Sequence, residues 1–238
     1  MRSSFRSTAK QSVKSFKAYK KKFPHQGKAL YAELFARHPD KIKLSREKFA
    51  IRNLQKIFSA TFQLVPKIGF PTMSLRDLSA ETGLSMGGLY STISYKENIA
   101  IMVKDLVELV CNDLMTQAKA QSDPVVALEV MVRGYLYAST ILQPWFYFLY
   151  FETRSLPLAD QEASKNIERM TVDELAHLIR QLRDDKQLTT EPPVSAHFIA
   201  TMTLSMIQER YLKPWKYRKP EQSIDAYAEQ CLQLIAVK

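Results

Sequence analysis

Two features are nearly absent from this chain: paired thiols and long apolar runs. The 238 residues include only two cysteines, Cys111 and Cys231, and these stand far apart without the CxxC or Cys/His spacing of a metal or redox site. We expect both to be small buried hydrophobes in a reducing compartment. No stretch approaches the roughly 18 to 20 apolar residues of a membrane span, and the N-terminal residues lack the apolar core of a secretory signal. These absences predict a cytoplasmic protein with no membrane partner.

Catalytic and cofactor motifs are missing as well. The sequence contains no glycine-rich phosphate loop, no GxSxG and no HExxH, and we find no coherent pair of acids on one helix face. We therefore expect no enzymatic activity, no metal and no cofactor. The hydrophobic content of 46% is nevertheless sufficient for a sizeable core.

Acidic residues are scarce in the first fifth of the chain. Residues 1–48 hold 14 lysines and arginines against 3 acids, whereas residues 49–238 hold 20 against 21. The whole formal charge of +10 is thus N-terminal. A basic segment before a neutral body is expected of a chain that approaches a polyanion, with nucleic acid as the first candidate and an anionic membrane surface as the second.

Residues 1–45 show no sustained core pattern. Val13, Phe16, Tyr19 and Phe23 have the spacing of a short basic amphipathic helix, which Pro24 and the residues after it would interrupt. We interpret this segment as a basic N-terminal arm. It is either solvated and partly disordered, or it follows DNA phosphates or a membrane surface.

Helical periodicity becomes strong from residue 46. The first helix has Ser45 as its expected cap and ends near Pro66 and Gly69. Further helices are predicted over 95–120, 124–142, 145–155, 160–184, 194–213 and 220–237. The aromatic run from Trp145 to Phe151 is also compatible with a strand, but its helical surroundings favour a helix. The fold class is therefore all-α.

Residues 74–93 can be parsed as two short helices joined by a tight turn. Ser74 can cap the first, Gly83 ends it, and Ser85 can cap the second. A turn that contains glycine between two short helices is typical of a helix-turn-helix. The outer face of the second helix consists of Met86, Gly87, Gly88, Tyr90, Ser91 and Thr92. Small residues there would let its backbone sit deep in a major groove.

At about residues 49–103 the sequence resembles the TetR family of transcriptional regulators. The matching positions are Ser74, Leu75, Arg76, Asp77, Leu78, Gly83, Leu84, Ser85, Gly87, Leu89, Tyr90, Lys96 and Glu97. The resemblance implies an N-terminal three-helix DNA-binding domain and a helical ligand-binding and dimerisation domain. It also implies that Tyr90 and Lys96 contact phosphates and that positions 86, 88, 91 and 92 face bases. We accordingly expect a DNA interface formed by Ser74, Ser85, Met86, Gly87, Gly88, Tyr90, Ser91, Thr92 and Lys96.

This chain departs from the family pattern at Met86, Gly88 and Ile93, where a basic residue, a threonine and an aromatic residue are common. Its reading helix therefore has no charged or amide side chain for bidentate base contacts. Specificity would rest on Ser91, Thr92, thymine methyl contacts and DNA shape, or on contacts from the basic arm. The alternative is a helix-turn-helix that no longer binds DNA.

Residues 135–151 are unusually rich in aromatic side chains. These rings either pack the core or line a hydrophobic ligand pocket with a few polar groups. The sequence from Phe151 to Pro157 is similar to a stretch in TetR-type regulators of lipid and acyl-CoA metabolism, which implies an acyl-type effector. The candidate ligand-binding residues are Tyr135, Trp145, Phe148, Glu152, Arg154 and His177.

The last two predicted helices carry broad apolar surfaces. A helix that is apolar nearly all round must be covered on two sides, and a twofold copy of the same pair would complete a four-helix interface. The alternative is burial within one subunit. Together these features predict three segments: an arm (1–45), a DNA-binding domain (46–94) and a ligand-binding and dimerisation domain (95–238).

The predicted function is a ligand-responsive repressor that binds a palindromic double-stranded operator as a homodimer. A small hydrophobic or acyl-type effector would release it. The competing hypothesis is a helical interaction or membrane-surface protein that binds no specific DNA.

Overall fold

A computed structural model describes residues 14–185, 188, 194–217 and 223–235. Within these residues the chain forms eleven α-helices and two 3-10 turns, Thr153–Ser155 and Pro214–Lys216. The helices are α1 Phe16–Lys22, α2 Gly27–Arg37, α3 Glu47–Ile68, α4 Leu75–Thr82, α5 Met86–Thr92, α6 Glu97–Lys119, α7 Pro124–Ile141, α8 Gln143–Glu152, α9 Leu158–Asp184, α10 Ala196–Leu212 and α11 Ile224–Leu234. The all-α prediction is confirmed.

The predicted helices after residue 95 correspond to α6 through α11, with ends that differ by a few residues. The aromatic run from Trp145 to Phe151 lies in helix α8, so the strand alternative is wrong. Within the described residues, no single helix has the length and apolar character needed to cross a membrane. Only the bent pair Pro124–Ile141 and Gln143–Ser155 has them jointly.

The chain divides into two compact units. The helix-turn-helix unit comprises Pro24–Leu109 and Leu142–Lys165. The C-terminal unit comprises the described residues of Met1–Phe23, Val110–Ile141 and Asn166–Lys238. Helices α6 and α9 each contribute residues to both units.

An aromatic cluster forms the core of the helix-turn-helix unit. The Trp145 ring of α8 stacks on Phe58 of α3 with 4.6 Å between ring centroids, and it meets Phe62 edge-on at 5.0 Å. Phe148 lies one turn further along α8 and contacts Phe62 and Phe70. These contacts hold α8 against α3.

Helix α3 begins one residue later than predicted. Arg46, rather than Ser45, is its N-cap residue, and it makes no side-chain cap hydrogen bond. The helix ends at Gly69, whose φ of 76° is readily adopted only by glycine. Its buried face consists of Ala50, Leu54, Ile57, Phe58, Ala60, Thr61 and Val65.

The N-terminal segment differs from the expected solvated arm, because residues 16–37 form α1 and α2 and pack against distant parts of the chain. In the C-terminal unit, Phe16 and Tyr19 contact the ring of Tyr137 on α7. The Phe16 amide (2.8 Å) and the Tyr137 hydroxyl (2.6 Å) both donate to one carboxylate oxygen of Asp225 on α11. Burial and the Asp225 carboxylate raise the pKa of Tyr137. Val13, also predicted in this helix, lies outside the described residues.

Helix α2 belongs to the helix-turn-helix unit and packs on α3. Leu30 and Leu34 are buried in this contact. Tyr31 approaches both Phe58 and Trp145, at 6.2 and 6.3 Å between centroids. Local periodicity did not predict the Tyr31 contacts because Phe58 and Trp145 lie more than 25 positions away.

Helix α7 is the centre of the C-terminal unit, where α1, α10 and α11 pack against it. Gly134 allows close contact with α6, since a Cβ at this position would lie 2.5 Å from a Leu114 methyl group. On the outer side of α10, Phe198 and Met202 are 54% and 49% exposed, and Leu234 of α11 is 61% exposed. The Tyr227 hydroxyl donates to the Met206 carbonyl (2.7 Å) and joins these two helices.

Candidate nucleic-acid interface

Helix α4 begins with a reciprocal capping arrangement. The Ser74 hydroxyl oxygen accepts from the Asp77 amide at 3.2 Å, and the Asp77 carboxylate accepts from the Ser74 amide and hydroxyl, both at 2.7 Å. The Ser74 hydroxyl and backbone N–H hold the pKa of Asp77 below its usual value. Such a capping box stabilises a helix start that is otherwise short of hydrogen-bond partners. The predicted cap at Ser74 is present.

The turn between α4 and α5 is also well defined. Gly83 ends α4 in the left-handed conformation, with φ of 67° and ψ of 14°. The Ser79 hydroxyl donates to the Leu84 carbonyl at 2.6 Å across the turn. The Ser85 hydroxyl then accepts from the Gly88 amide at 3.1 Å and caps α5. The two short helices therefore form a rigid helix-turn-helix.

The solvent face of α5 is small and uncharged. Gly87 is exposed, and a Cβ built there would meet nothing within 4 Å. Tyr90 is 49% exposed, while Met86, Gly88 and Ser91 are partly exposed. The inner face is fixed by Leu89, which is fully buried. This arrangement leaves the α5 backbone accessible along one side.

Thr92 does not belong to that exposed face, which corrects its predicted role at the bases. Its side chain is fully buried. The Thr92 hydroxyl donates to the Gly88 carbonyl at 2.8 Å and accepts from Asn53 Nδ2 of α3 at 3.0 Å. Ser91 keeps partial exposure, although its hydroxyl donates to the same Gly88 carbonyl at 2.9 Å. Thr92 therefore anchors α5 to α3.

Lys96 lies between α5 and α6 and bonds to the backbone of the chain reversal after α3. Its ammonium group donates to the Phe70 carbonyl at 3.1 Å and the Pro71 carbonyl at 2.9 Å. It also lies 5.2 Å from the centroid of the Phe70 ring. An ammonium group has three donors, so one remains for a phosphate oxygen. Lys96 thus fixes the reversal after α3 whether or not it contacts DNA.

The sequence analysis missed two polar residues of α3. Asn53 bonds to Thr92 at the end of α5, and Lys56 Nζ donates to the Thr82 carbonyl at the end of α4, at 3.3 Å. They orient the pair of short helices on the longer one. Asn53 and Lys56 occupy ordinary polar positions of an amphipathic helix. Their spacing in the sequence therefore does not indicate that they bond to α4 and α5.

The candidate ligand residues are divided between the two units. Tyr135 and His177 belong to the C-terminal unit, whereas Trp145, Phe148, Glu152 and Arg154 belong to the helix-turn-helix unit. Trp145 and Phe148 are packed into the aromatic core described above. This packing favours the alternative in which the aromatic run fills the core.

The polar candidates differ in their surroundings. Glu152 is buried and accepts from the Ser155 hydroxyl at 3.3 Å, while Arg154 and His177 are exposed. Tyr135 is buried in the C-terminal unit, where it interacts with Tyr211 and lies near Glu168. Burial, followed by its neighbours, raises the pKa of Tyr135 well above its usual value. Of the two candidates in the C-terminal unit, Tyr135 is the buried one.

No protein-family sequence model and no curated protein sequence matches the chain. Solved structures do match it. PfmR from Thermus thermophilus, a TetR-family transcriptional regulator, is 20% identical with a TM-score of 0.59, and the match covers 74% of this chain and 97% of that one.

Two further structures contain ligands. AibR with isovaleryl coenzyme A and operator DNA is 16% identical, with a TM-score of 0.61 and coverage of 78% and 100%. FadR from Bacillus subtilis with stearoyl-CoA is 14% identical, with a TM-score of 0.54 and coverage of 77% and 97%. The sequence resemblance is therefore confirmed at the level of structure: this chain has the all-α fold of the TetR-family transcriptional regulators.

Proposed function

We propose that this protein is a cytoplasmic, dimeric transcriptional regulator of the TetR family that binds operator DNA through α4 and α5, and that it is not an enzyme. The observation that carries the proposal is the uncharged, glycine-rich face of α5 on a rigidly capped helix-turn-helix. A helix with such a face can enter a major groove about 12 Å wide without steric conflict. We assign DNA binding to residues 46–94 and ligand binding and dimerisation to residues 95–238.

Base contacts in this proposal come from the partly exposed side chains of Met86 and Ser91, with Gly87 and Gly88 allowing close approach. Met86 can contact a thymine methyl group, and Ser91 can bond to a base edge. Tyr90, the third Lys96 donor and the amides near Ser74 and Ser85 would bind phosphates. Because none of these groups is a bidentate reader, DNA shape would carry a large part of the specificity.

The exposed apolar side chains Phe198, Met202 and Leu234 support dimerisation through α10 and α11. A twofold copy of this surface would cover them in a four-helix interface. Two reading helices related by a twofold axis bind half-sites about 34 Å apart, which makes the operator palindromic.

A glutamate on α5 tests the DNA-binding proposal. We expect Gly87→Glu to weaken binding to duplex DNA by about tenfold or more, since it adds bulk and negative charge where a phosphate-lined groove must approach. The side chain has open space, so thermal stability should be nearly unchanged. Ala36→Glu, at an exposed position of α2, adds the same charge elsewhere in this unit and should have little effect. Gel-shift titration and thermal unfolding of both variants give the answer. Equal affinity of Gly87→Glu and wild type contradicts the proposal.

We infer further that the protein is a repressor and that a small hydrophobic or acyl-type effector releases it from DNA. Support comes from AibR and FadR, whose structures contain acyl-CoA molecules, and from the similarity of residues 151–157 to regulators of acyl metabolism. The buried Tyr135 hydroxyl would provide a polar contact for such a molecule in the C-terminal unit. Effector binding would change the distance between the two reading helices and lower operator affinity.

Acyl-CoA thioesters provide the matching test. A ligand present at a hundredfold excess over its Kd stabilises the folded state by about 2.7 kcal/mol, so we expect stearoyl-CoA or isovaleryl-CoA to raise the Tm by about 5–10 °C. The same ligand should weaken DNA binding. Coenzyme A without an acyl chain is the control. If no thioester raises the Tm while the protein still binds DNA, the acyl-effector proposal is wrong and the DNA-binding proposal stands.

A further inference from the structure

The reading helix α5 lacks a charged side chain, and Lys96 spends two of its three donors on backbone carbonyls. Protein affinity for duplex DNA nevertheless depends mainly on cations that neutralise phosphates. Other basic groups of the helix-turn-helix unit must therefore supply this charge if the proposed function is correct.

One face of α3 is directed at the two short helices. Asn53 reaches Thr92 at the end of α5, and Lys56 reaches Thr82 at the end of α4. At about 100° per residue, the positions one and two turns before Asn53 on the same face are Phe49 and Arg46. These two residues precede the level at which α3 is bonded to α5. They therefore lie on the side of α3 that is turned toward the helix-turn-helix, one and two turns beyond its bond to the end of α5.

Both residues are free to meet a ligand there. Phe49 is 49% exposed, whereas Leu54, Ile57 and Phe58 of the same helix are fully buried. Arg46 is exposed, and as the N-cap residue it makes no side-chain cap hydrogen bond. An exposed aromatic ring one turn from a guanidinium group has the chemistry to meet a deoxyribose ring and a phosphate.

We propose that Arg46 and Phe49 form a contact with the DNA backbone beside the major groove that α5 enters. Arg46 binds a phosphate, and Phe49 packs against the adjoining sugar. This inference rests on the proposed DNA-binding function and assigns to α3 a contact that the reading helix cannot make. The Asn53 hydrogen bond to Thr92 would set the distance between this contact and the bases that α5 reads.

Salt titration with a random-sequence duplex of roughly 30 base pairs tests the assignment, because binding without sequence preference depends on phosphate contacts. We expect Arg46→Ala to reduce the slope of log K against log salt concentration by about 1. Lys48→Ala is the matched control, since Lys48 is exposed at the same end of α3 but about 140° from Asn53 around the helix. Its slope should equal that of wild type. Phe49→Ala should weaken binding several-fold at every salt concentration without changing the slope.

Each outcome distinguishes the inference from the proposed function. Equal slopes for Arg46→Ala and wild type, or equal reductions for Arg46→Ala and Lys48→Ala, overturn the α3 contact but leave DNA binding intact. Unchanged affinity of Phe49→Ala overturns the sugar contact. Failure of wild type to bind the duplex even at low salt contradicts the proposed function itself. Thermal unfolding should be the same for all four proteins, because the replaced side chains are exposed.

Discussion

Replacement of Trp145 by alanine should lower the free energy of unfolding by about 3–5 kcal/mol, the range for loss of a buried tryptophan. The ring is 5% exposed and contacts Phe58, Phe62 and Tyr31. Its removal leaves a cavity between α2, α3 and α8, and α3 is the helix on which α4 and α5 pack. Urea unfolding followed by circular dichroism measures the loss, and DNA affinity should fall with it.

The second tryptophan provides a matched control. Trp215 is 73% exposed, so Trp215→Ala should change stability by no more than about 0.5 kcal/mol. Trp145→Phe keeps an aromatic ring in the cluster and should recover a large part of the lost stability. If Trp145 instead lined a ligand pocket, Trp145→Ala would preserve stability and change only the response to ligands. That result would restore the sequence-based hypothesis for this residue.

Introduction of an aspartate at Met202 should convert the proposed dimer to a monomer. The side chain is half exposed in the single subunit, so the subunit should remain folded, whereas two buried and unpaired charges would face each other across a twofold interface. Loss of the second half-site should weaken operator binding by about 10² to 10⁴, the usual gain from bivalent attachment. Light scattering and gel-shift titration measure the two effects.

Met170 of α9 is a suitable control, because it is another methionine in the C-terminal unit and is 43% exposed. Met170→Asp should remain dimeric. Leu232 of α11 is unsuitable for this test, because it is buried within the C-terminal unit and a charge there would unfold the subunit. A wild-type protein that is monomeric at micromolar concentration would contradict the proposed dimer.

Local chemistry accounts for the parts of the structure that could be predicted. The caps at Ser74 and Ser85 and the stop at Gly83 depend on residues three or four positions apart, so their spacing is visible in the sequence. The same holds for the helices after residue 95, which follow from apolar periodicity and from proline at their ends. The N-cap of α3 was predicted at Ser45, one residue too early. Arg46 occupies the cap position without a side-chain hydrogen bond, so its residue type does not indicate this role.

Long-range contacts account for the differences. Two interpretations were open for the aromatic run of α8 and for the basic N-terminal segment. The spacing of apolar residues in a sequence is the same whether their side chains are buried in the core or remain exposed. A helical projection placed Thr92 on the outer face of α5. In the structure its side chain is buried and accepts a hydrogen bond from Asn53 of α3. Candidate ligand residues close in sequence were also separated, with Tyr135 and Trp145 in different units.

By itself, the sequence determined the all-α class, the order of the helices from α3 onward and the helix-turn-helix, because these depend on backbone hydrogen bonding and apolar spacing within a few residues. Tertiary structure alone decided which surfaces remain exposed. Burial depends on the partner that a side chain meets, and for Tyr31, Asn53 and Trp145 that partner lies far along the chain. The packing of α3 against α5 therefore removes Thr92 from the proposed DNA contacts and adds Arg46 and Phe49 to them.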